Sequence, residues 1–106
     1  MQPIRGNVEA VEGALRSFAG GPAWVHAEWI PGGFLRNMRV DVTAAYVRGG
    51  GPYRVALRCA GDAWVRIEDV TDWELDPEGR LCLLAWGDAE QRLSRTLEIS
   101  PRPFPA

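Results

Sequence analysis

Residues 37–59 read NMRVDVTAAYVRGGGPYRVALRC, and the alternation within them decides the fold. Met38, Val40, Val42, Ala44 and Tyr46 share one strand parity, and Asn37, Arg39, Asp41 and Thr43 share the other. Side chains alternate between the two faces of a strand, so one face is apolar and the other polar. Gly49-Gly50-Gly51-Pro52 lets the chain reverse, and in 53–59 Tyr53, Val55, Leu57 and Cys59 oppose Arg54, Ala56 and Arg58. Folding 34–48 onto 53–59 with Val47 opposite Arg54 places Tyr46 by Val55, Ala44 by Leu57 and Val42 by Cys59. This register gathers the apolar pairs on one face, and a slip of one residue would scatter them.

The rest of the chain extends this hairpin. Upstream, Val8, Val11, Leu15 and Phe18 recur at helical spacing and predict a helix over about 8–19. Asn7 is its expected N-cap, and Gly20-Gly21-Pro22 its stop signal. The period then changes to two. Strands are expected at about 23–30, 34–48, 53–59, 63–75, 80–86 and 91–99, with turns at Pro31-Gly32-Gly33, Ala60-Gly61-Asp62, Asp76-Pro77-Glu78-Gly79 and Gly87-Asp88-Ala89-Glu90. Polar Asp69 and Thr71 interrupt an apolar parity and predict a bulge or bend near 69–71. Residues 80–86 are apolar at nearly every position and read as a strand covered on both faces, whereas the Pro-rich tail 100–106 cannot join a central strand. The expected fold is α+β: one N-terminal helix on a curved antiparallel β-meander of about six strands, either open or partly closed into a barrel, in a single domain spanning 1–106.

Composition excludes several classes. The 106 residues are 46% hydrophobic and 25% charged, ordinary for a globular domain and unlike a disordered chain. A net charge of −2 gives no global attraction to polyanions. All twelve basic residues are Arg, which matches GC-rich codon usage and also supplies planar, bidentate forks. Cys59 and Cys82 fit neither a disulfide framework nor a metal motif, and read as buried thiols suited to a reducing cytoplasm. The start Met-Gln-Pro-Ile-Arg-Gly has no apolar core of a signal peptide, and no stretch reaches the length of a membrane span. No cofactor motif is found.

Three constellations bear on function. His26, the only histidine, shares a strand face with Trp24, Glu28 and Ile30, and a His-Glu pair could serve as an oriented base. Glu68, Asp69, Asp72, Glu74, Asp76 and Glu78 put six acids into 68–78, with no Arg among them. Carboxylates at alternate strand positions stand about 7 Å apart, so this row suits a solvated or partner-binding face better than a metal site. Six Arg and only two acids occupy 34–66, and Arg39, Arg54 and Arg58 project from the polar face of the hairpin. Tyr46 and Tyr53 are expected on the opposite face, which removes the stacking rings that single-strand binders interleave with Arg.

A basic middle and an acidic later third suit docking to a complementary protein or self-association. The leading expectation is a non-enzymatic protein-binding module, an inhibitor, adaptor or immunity-type protein. It would act through Arg39, Arg54, Arg58, Glu68, Asp72, Glu74 and Asp76 with part-exposed Trp24, Trp64 or Trp86, since Trp and Arg anchor interfaces. At the level of fold alone, one helix before a Trp-rich antiparallel sheet resembles small bacterial immunity proteins that neutralise toxins, which implies a protein partner. The alternatives are a nucleic-acid accessory factor using the Arg face, and a ligand-binding or catalytic cup with His26 and Glu28 at its mouth. The working surface is expected where the bend at 69–71 presents acids beside the Arg face.

Overall fold

The computed structural model describes residues 1–86 and 94–105. Within them α1 (Val8–Arg16) lies against one antiparallel sheet. The strands are β1 (Gln2–Pro3), β2 (Pro22–Ile30), β3 (Gly33–Arg48), β4 (Tyr53–Cys59), β5 (Ala63–Val70), β6 (Asp72–Leu75), β7 (Leu81–Trp86) and β8 (Ser94–Ser100). The α+β class is as the sequence predicts, with eight strands in place of six. The expected strand 63–75 divides at Thr71, and Gln2-Pro3 adds a short edge strand on β6. The expected turn at 87–90 and the start of the last strand at 91–93 lie outside the described residues.

The strand order is β1-β6-β7-β8-β2-β3-β4-β5, so the chain is two meanders joined by pairing of β8 with β2. β5 ends at Val70 and β6 begins at Asp72, yet they stand near opposite ends of that order. One residue cannot span a flat eight-stranded sheet, whose neighbouring strands are about 4.8 Å apart. The sheet therefore curls into a half-barrel that brings its ends together at Thr71. There Thr71 N–H donates to Leu84 O of β7 at 3.0 Å, and Thr71 O accepts from Ile4 N–H at 2.9 Å.

Three bulges supply the curvature, since an extra residue bends its strand and increases the twist. The third is the bend expected near 69–71: β5 carries one residue more than β4 between Ile67 and Val70, and Asp69 takes φ 58°. On β3 an extra residue lies between Leu35 and Met38, opposite Ala27 and Val25, where Asn37 takes φ 57°. Asn and Asp tolerate this left-handed region better than other side chains.

The remaining bulge corrects the expected hairpin register. Val42 does pair with Cys59, but Ala44 pairs with Arg58, Ala45 with Leu57, Tyr46 with Ala56 and Val47 with Val55. Two residues of β3 oppose one of β4 at Thr43, whose Oγ1 donates to Arg58 O at 3.1 Å. The bulge lets Val42, Ala45 and Val47 all enter the core, while Ala44, Tyr46 and Arg48 turn outward. Adjacent Ala44 and Ala45 leave the parity ambiguous in sequence, and burying Val47 in place of Tyr46 decides it.

The helix closes one side of the half-barrel through fully buried Val11 and Leu15. It ends at Arg16, short of the expected residue 19, because Ser17 Oγ donates to Ala14 O and the chain continues in turns to Gly20. Asn7 holds the N-cap position without a side-chain cap; its Nδ2 donates to Pro3 O instead. Glu12 ties the helix to the sheet. Its Oε2 accepts from Val47 N–H at 2.9 Å and from Arg48 at 3.0 Å, and its Oε1 meets Arg16 at 2.9 Å. The tail is not a strand, but it is anchored. Phe104 is buried, and Asn37 makes two hydrogen bonds to its backbone, accepting from N–H and donating to O.

The Val47 amide does most to hold the Glu12 carboxyl below its ordinary range; burial opposes this, and Arg16 and Arg48 add to the lowering. A depressed carboxyl pKa contributes stability that is present above the unfolded value of about 4.5 and is lost as pH falls through the folded value. Glu12→Gln should therefore lower the urea midpoint at pH 7, and its gap from wild type should close as pH falls below 4.5. A gap unchanged from pH 7 to about pH 3 would show that the charge of Glu12 does not hold the helix.

Candidate functional site

The half-barrel is pinched shut at Thr71 and open farther along β5. The opening is an apolar cleft of about 320 Å³. Val25, Ala27 and Trp29 of β2, Leu35 and Met38 of β3 and Leu97 of β8 form its floor. These residues share the inner face because Val25 pairs with Met38, and Ala27 with both Leu35 and Leu97. The opposite wall is Trp64-Val65-Arg66-Ile67-Glu68 of β5. Arg95 of β8 reaches across and meets Asp69 at 3.1 Å, marking where the cleft ends. Trp29 and Trp64 are 45% and 55% exposed, and Met38 is 38% exposed. Large side chains left in water around a concave apolar floor are what a docking site presents before it is filled.

Beside the cleft, the outer face of β3, β4 and β5 carries Arg48, Tyr46 and Arg58, and Trp64 stands at the rim between this face and the cleft. Tyr46 stacks on Trp64 with centroids 6.2 Å apart; Arg48 lies 5.2 Å over Tyr46, and Arg58 5.9 Å over Trp64. Tyr46 therefore stands on the Arg face, contrary to the expectation from simple alternation, because of the bulge at Thr43. The Arg residues are not free charges. Arg54 meets Glu68 at 2.8 Å, Arg66 meets the same carboxylate at 3.0 Å, Arg58 meets Asp62 at 3.1 Å and Arg39 meets Asp41 at 3.8 Å. Arg39 lies on the other half of β3, opposite Trp24 of β2.

The acids do not form one surface. Glu68 belongs to the Arg face, whereas Asp72, Glu74 and Asp76 lie on or beyond β6, past the fold at Thr71. Each also has a local partner. Asp72 accepts from Thr71 Oγ1, Glu74 lies 3.6 Å from the terminal ammonium, and Asp76 Oδ1 accepts from the N–H groups of Glu78 and Arg80 in the turn. No group of three or more metal-ligating side chains occurs among the described residues.

His26 is not at the mouth of the cup. It is buried on the outer face of β2 beneath the tail, 5.9 Å from the Phe104 ring and 6.2 Å from the Phe34 ring, with Nε2 3.6 Å from Glu28 and Nδ1 3.4 Å from Arg36. Sequence parity put His26 opposite Val25 and Ala27, but nothing in sequence located the tail over it. Of the tryptophans expected to be part-exposed, Trp64 is exposed, and Trp24 and Trp86 are half-buried. Trp29 is the one missed. Its signal was present: it continues the parity of Val25 and Ala27 to the penultimate residue of β2, next to the turn at Pro31.

The fold and the cleft together define, among the described residues, a helix-covered antiparallel half-barrel with an open seam. The chain belongs to the family described as "Protein of unknown function (DUF1806)", which matches residues 7–104. It is 31% identical over 110 residues to the protein described as "Uncharacterized protein YojF" of Bacillus subtilis (strain 168), covering 91% of this chain and 93% of that one. The crystal structure of the Bacillus subtilis YojF protein has the same fold, with a TM-score of 0.82 at 30% identity over 92% of this chain and 93% of that chain. No helix among the described residues is long and apolar enough to cross a membrane.

Both cysteines are free thiols. Burial pushes the Cys82 thiol up to about 12, with Glu98 and Glu74 adding to the shift, and burial followed by Asp41 raises Cys59. The thiolate is the reactive form, so neither residue should act as a nucleophile near neutral pH. At pH 8 the folded protein should leave both thiols unmodified by a disulfide reagent such as Ellman's, and both should react once it is unfolded in urea. Rapid labelling of Cys82 in the folded protein would contradict this.

Proposed function

We propose that this protein is a non-enzymatic protein-binding module whose contact surface is the cleft mouth. One observation carries the reading: three of the large exposed hydrophobics, Trp29, Met38 and Trp64, surround a single apolar opening. Ile30 and Phe34, also exposed, stand on the other face of the same hairpin tip. Apolar surface that continues beyond the cavity exceeds what a small enclosed ligand would cover, and it suits a macromolecular partner. The expected binding through long-range charge is weakened by local pairing: Arg39, Arg54 and Arg58 each have an acid partner, and such exposed pairs are screened within about 8 Å. The sole histidine lies on the far side of the sheet from this cleft, which speaks against its use as a base there. Two unpaired thiols favour a reducing, cytoplasmic setting.

The test is co-purification of the tagged chain from its own host at low and high salt. Wild type and Arg39→Ala should retain one stoichiometric protein at both salts, and Met38→Glu should lose it. Absence of a stoichiometric partner, or its retention by Met38→Glu, would overturn the reading.

A second reading rests on the Tyr46–Trp64 stack between Arg48 and Arg58, which has the ring-and-guanidinium composition of a single-strand platform. It ranks lower because those guanidiniums are already ion-paired. Under it, a single-stranded 20-mer should shift the protein on a gel at about 50 mM salt and release it by about 200 mM. No shift at low salt excludes it.

A further inference from the structure

We infer that the cleft receives an extended segment of a partner protein as an added strand on β5. The inference rests on the cleft being a protein-docking site, and names how it binds. Among the described strands β5 stands at one end of the order, paired with β4 on a single side. Five consecutive residues, 64–68, line the cleft. Neighbouring strand residues point to opposite faces, so a cleft touching all five runs along the edge of the strand and not over one face. Every second residue of an edge strand turns its N–H and C=O away from its neighbour. Among the described residues, 64–68 make no backbone hydrogen bond outside the ladder with β4. The chemical complement of such a row is another peptide backbone.

The side chains define the segment. A strand laid along β5 would direct one row of side chains onto the floor at Val25, Leu35 and Met38, which takes apolar residues. Its other row would stand beside Trp64, Arg66 and Glu68 on the outer face. There Arg54 and Arg66 share the single carboxylate of Glu68 at 2.8 Å and 3.0 Å, leaving one positive charge in surplus. An acidic residue in the outward row complements it. The segment is short: five residues of β5 span roughly 17 Å, and the Arg95–Asp69 pair closes the seam beyond Glu68. A second copy of this chain is a poorer occupant, because antiparallel pairing about Arg66, the centre of the free row, would put Arg66 opposite Arg66.

The experiment selects binders from a random decapeptide library displayed on phage, using the full chain, and remakes them as synthetic peptides with alternate backbone amides N-methylated. The expected binders alternate apolar residues and carry an acid. They should lose at least ten-fold in affinity when one alternate set of amides is methylated and little when the other set is, and they should bind neither Met38→Glu nor Trp29→Ser, both checked for native circular dichroism. Binders that require Met38 but tolerate methylation of both sets would overturn strand addition and leave the docking site standing. Binders indifferent to both variants, or no binders at all, would overturn the docking site as well. A wild-type dimer at micromolar concentration that Arg66→Glu alters would replace the partner segment with a second copy.

Discussion

The one-residue link at Thr71 is the constraint on which the rest of the structure depends. It joins β5 to β6, strands that the pairing order keeps near opposite ends of the sheet. A sheet so connected must curl, and Thr71 fixes the curl by donating to β7 and accepting from Ile4. Where the link is tight, the seam is shut. Farther along β5 nothing among the described strands pairs with its outer edge, and the cleft opens there. The opening is thus a consequence of connectivity rather than of one residue's size.

Curling costs regular pairing, and the bulges localise that cost. Each is placed where a side chain compensates the disturbed backbone. Thr43 returns a hydrogen bond to Arg58 O. Asn37, in the left-handed region, uses its amide to clasp Phe104 and so binds the tail over His26. Asp69, also left-handed, meets Arg95 across the seam. Of the two left-handed bulge residues, Asp69 thus closes the seam and Asn37 secures the tail. The helix lock at Glu12 acts on the neighbouring strand through Val47, the residue that the Thr43 bulge turns inward.

Alternation and turn residues made most of the strands legible, since period-two burial is local and Gly and Pro mark its ends. The bend near 69–71 was legible for the same reason: two polar residues broke an apolar parity. The register of the 34–59 hairpin was not. A single bulge reverses the face of every residue after it, and Ala44-Ala45 suits either parity. That reversal placed Tyr46 among the Arg side chains. The site was legible only in part. Trp64 and Glu68 were named from sequence and do line the cleft, but Met38 was read merely as one of a core face and Trp29 was passed over. A strand edge left without a partner depends on pairing order, which alternation does not encode. The acidic row looked like one patch because its residues are close in sequence, and the fold at Thr71 separates them.

The half-barrel is shut at Thr71 and open along β5. Residue-resolved hydrogen exchange of the native protein tests it most directly. Backbone groups that face β4 should be protected and those that face the cleft should not. Within 64–68 fast and slow amides should alternate, with slow exchange at Thr71, whose N–H is bonded to β7. Uniform protection from 64 to 68 would mean that the edge is already covered, and would contradict it.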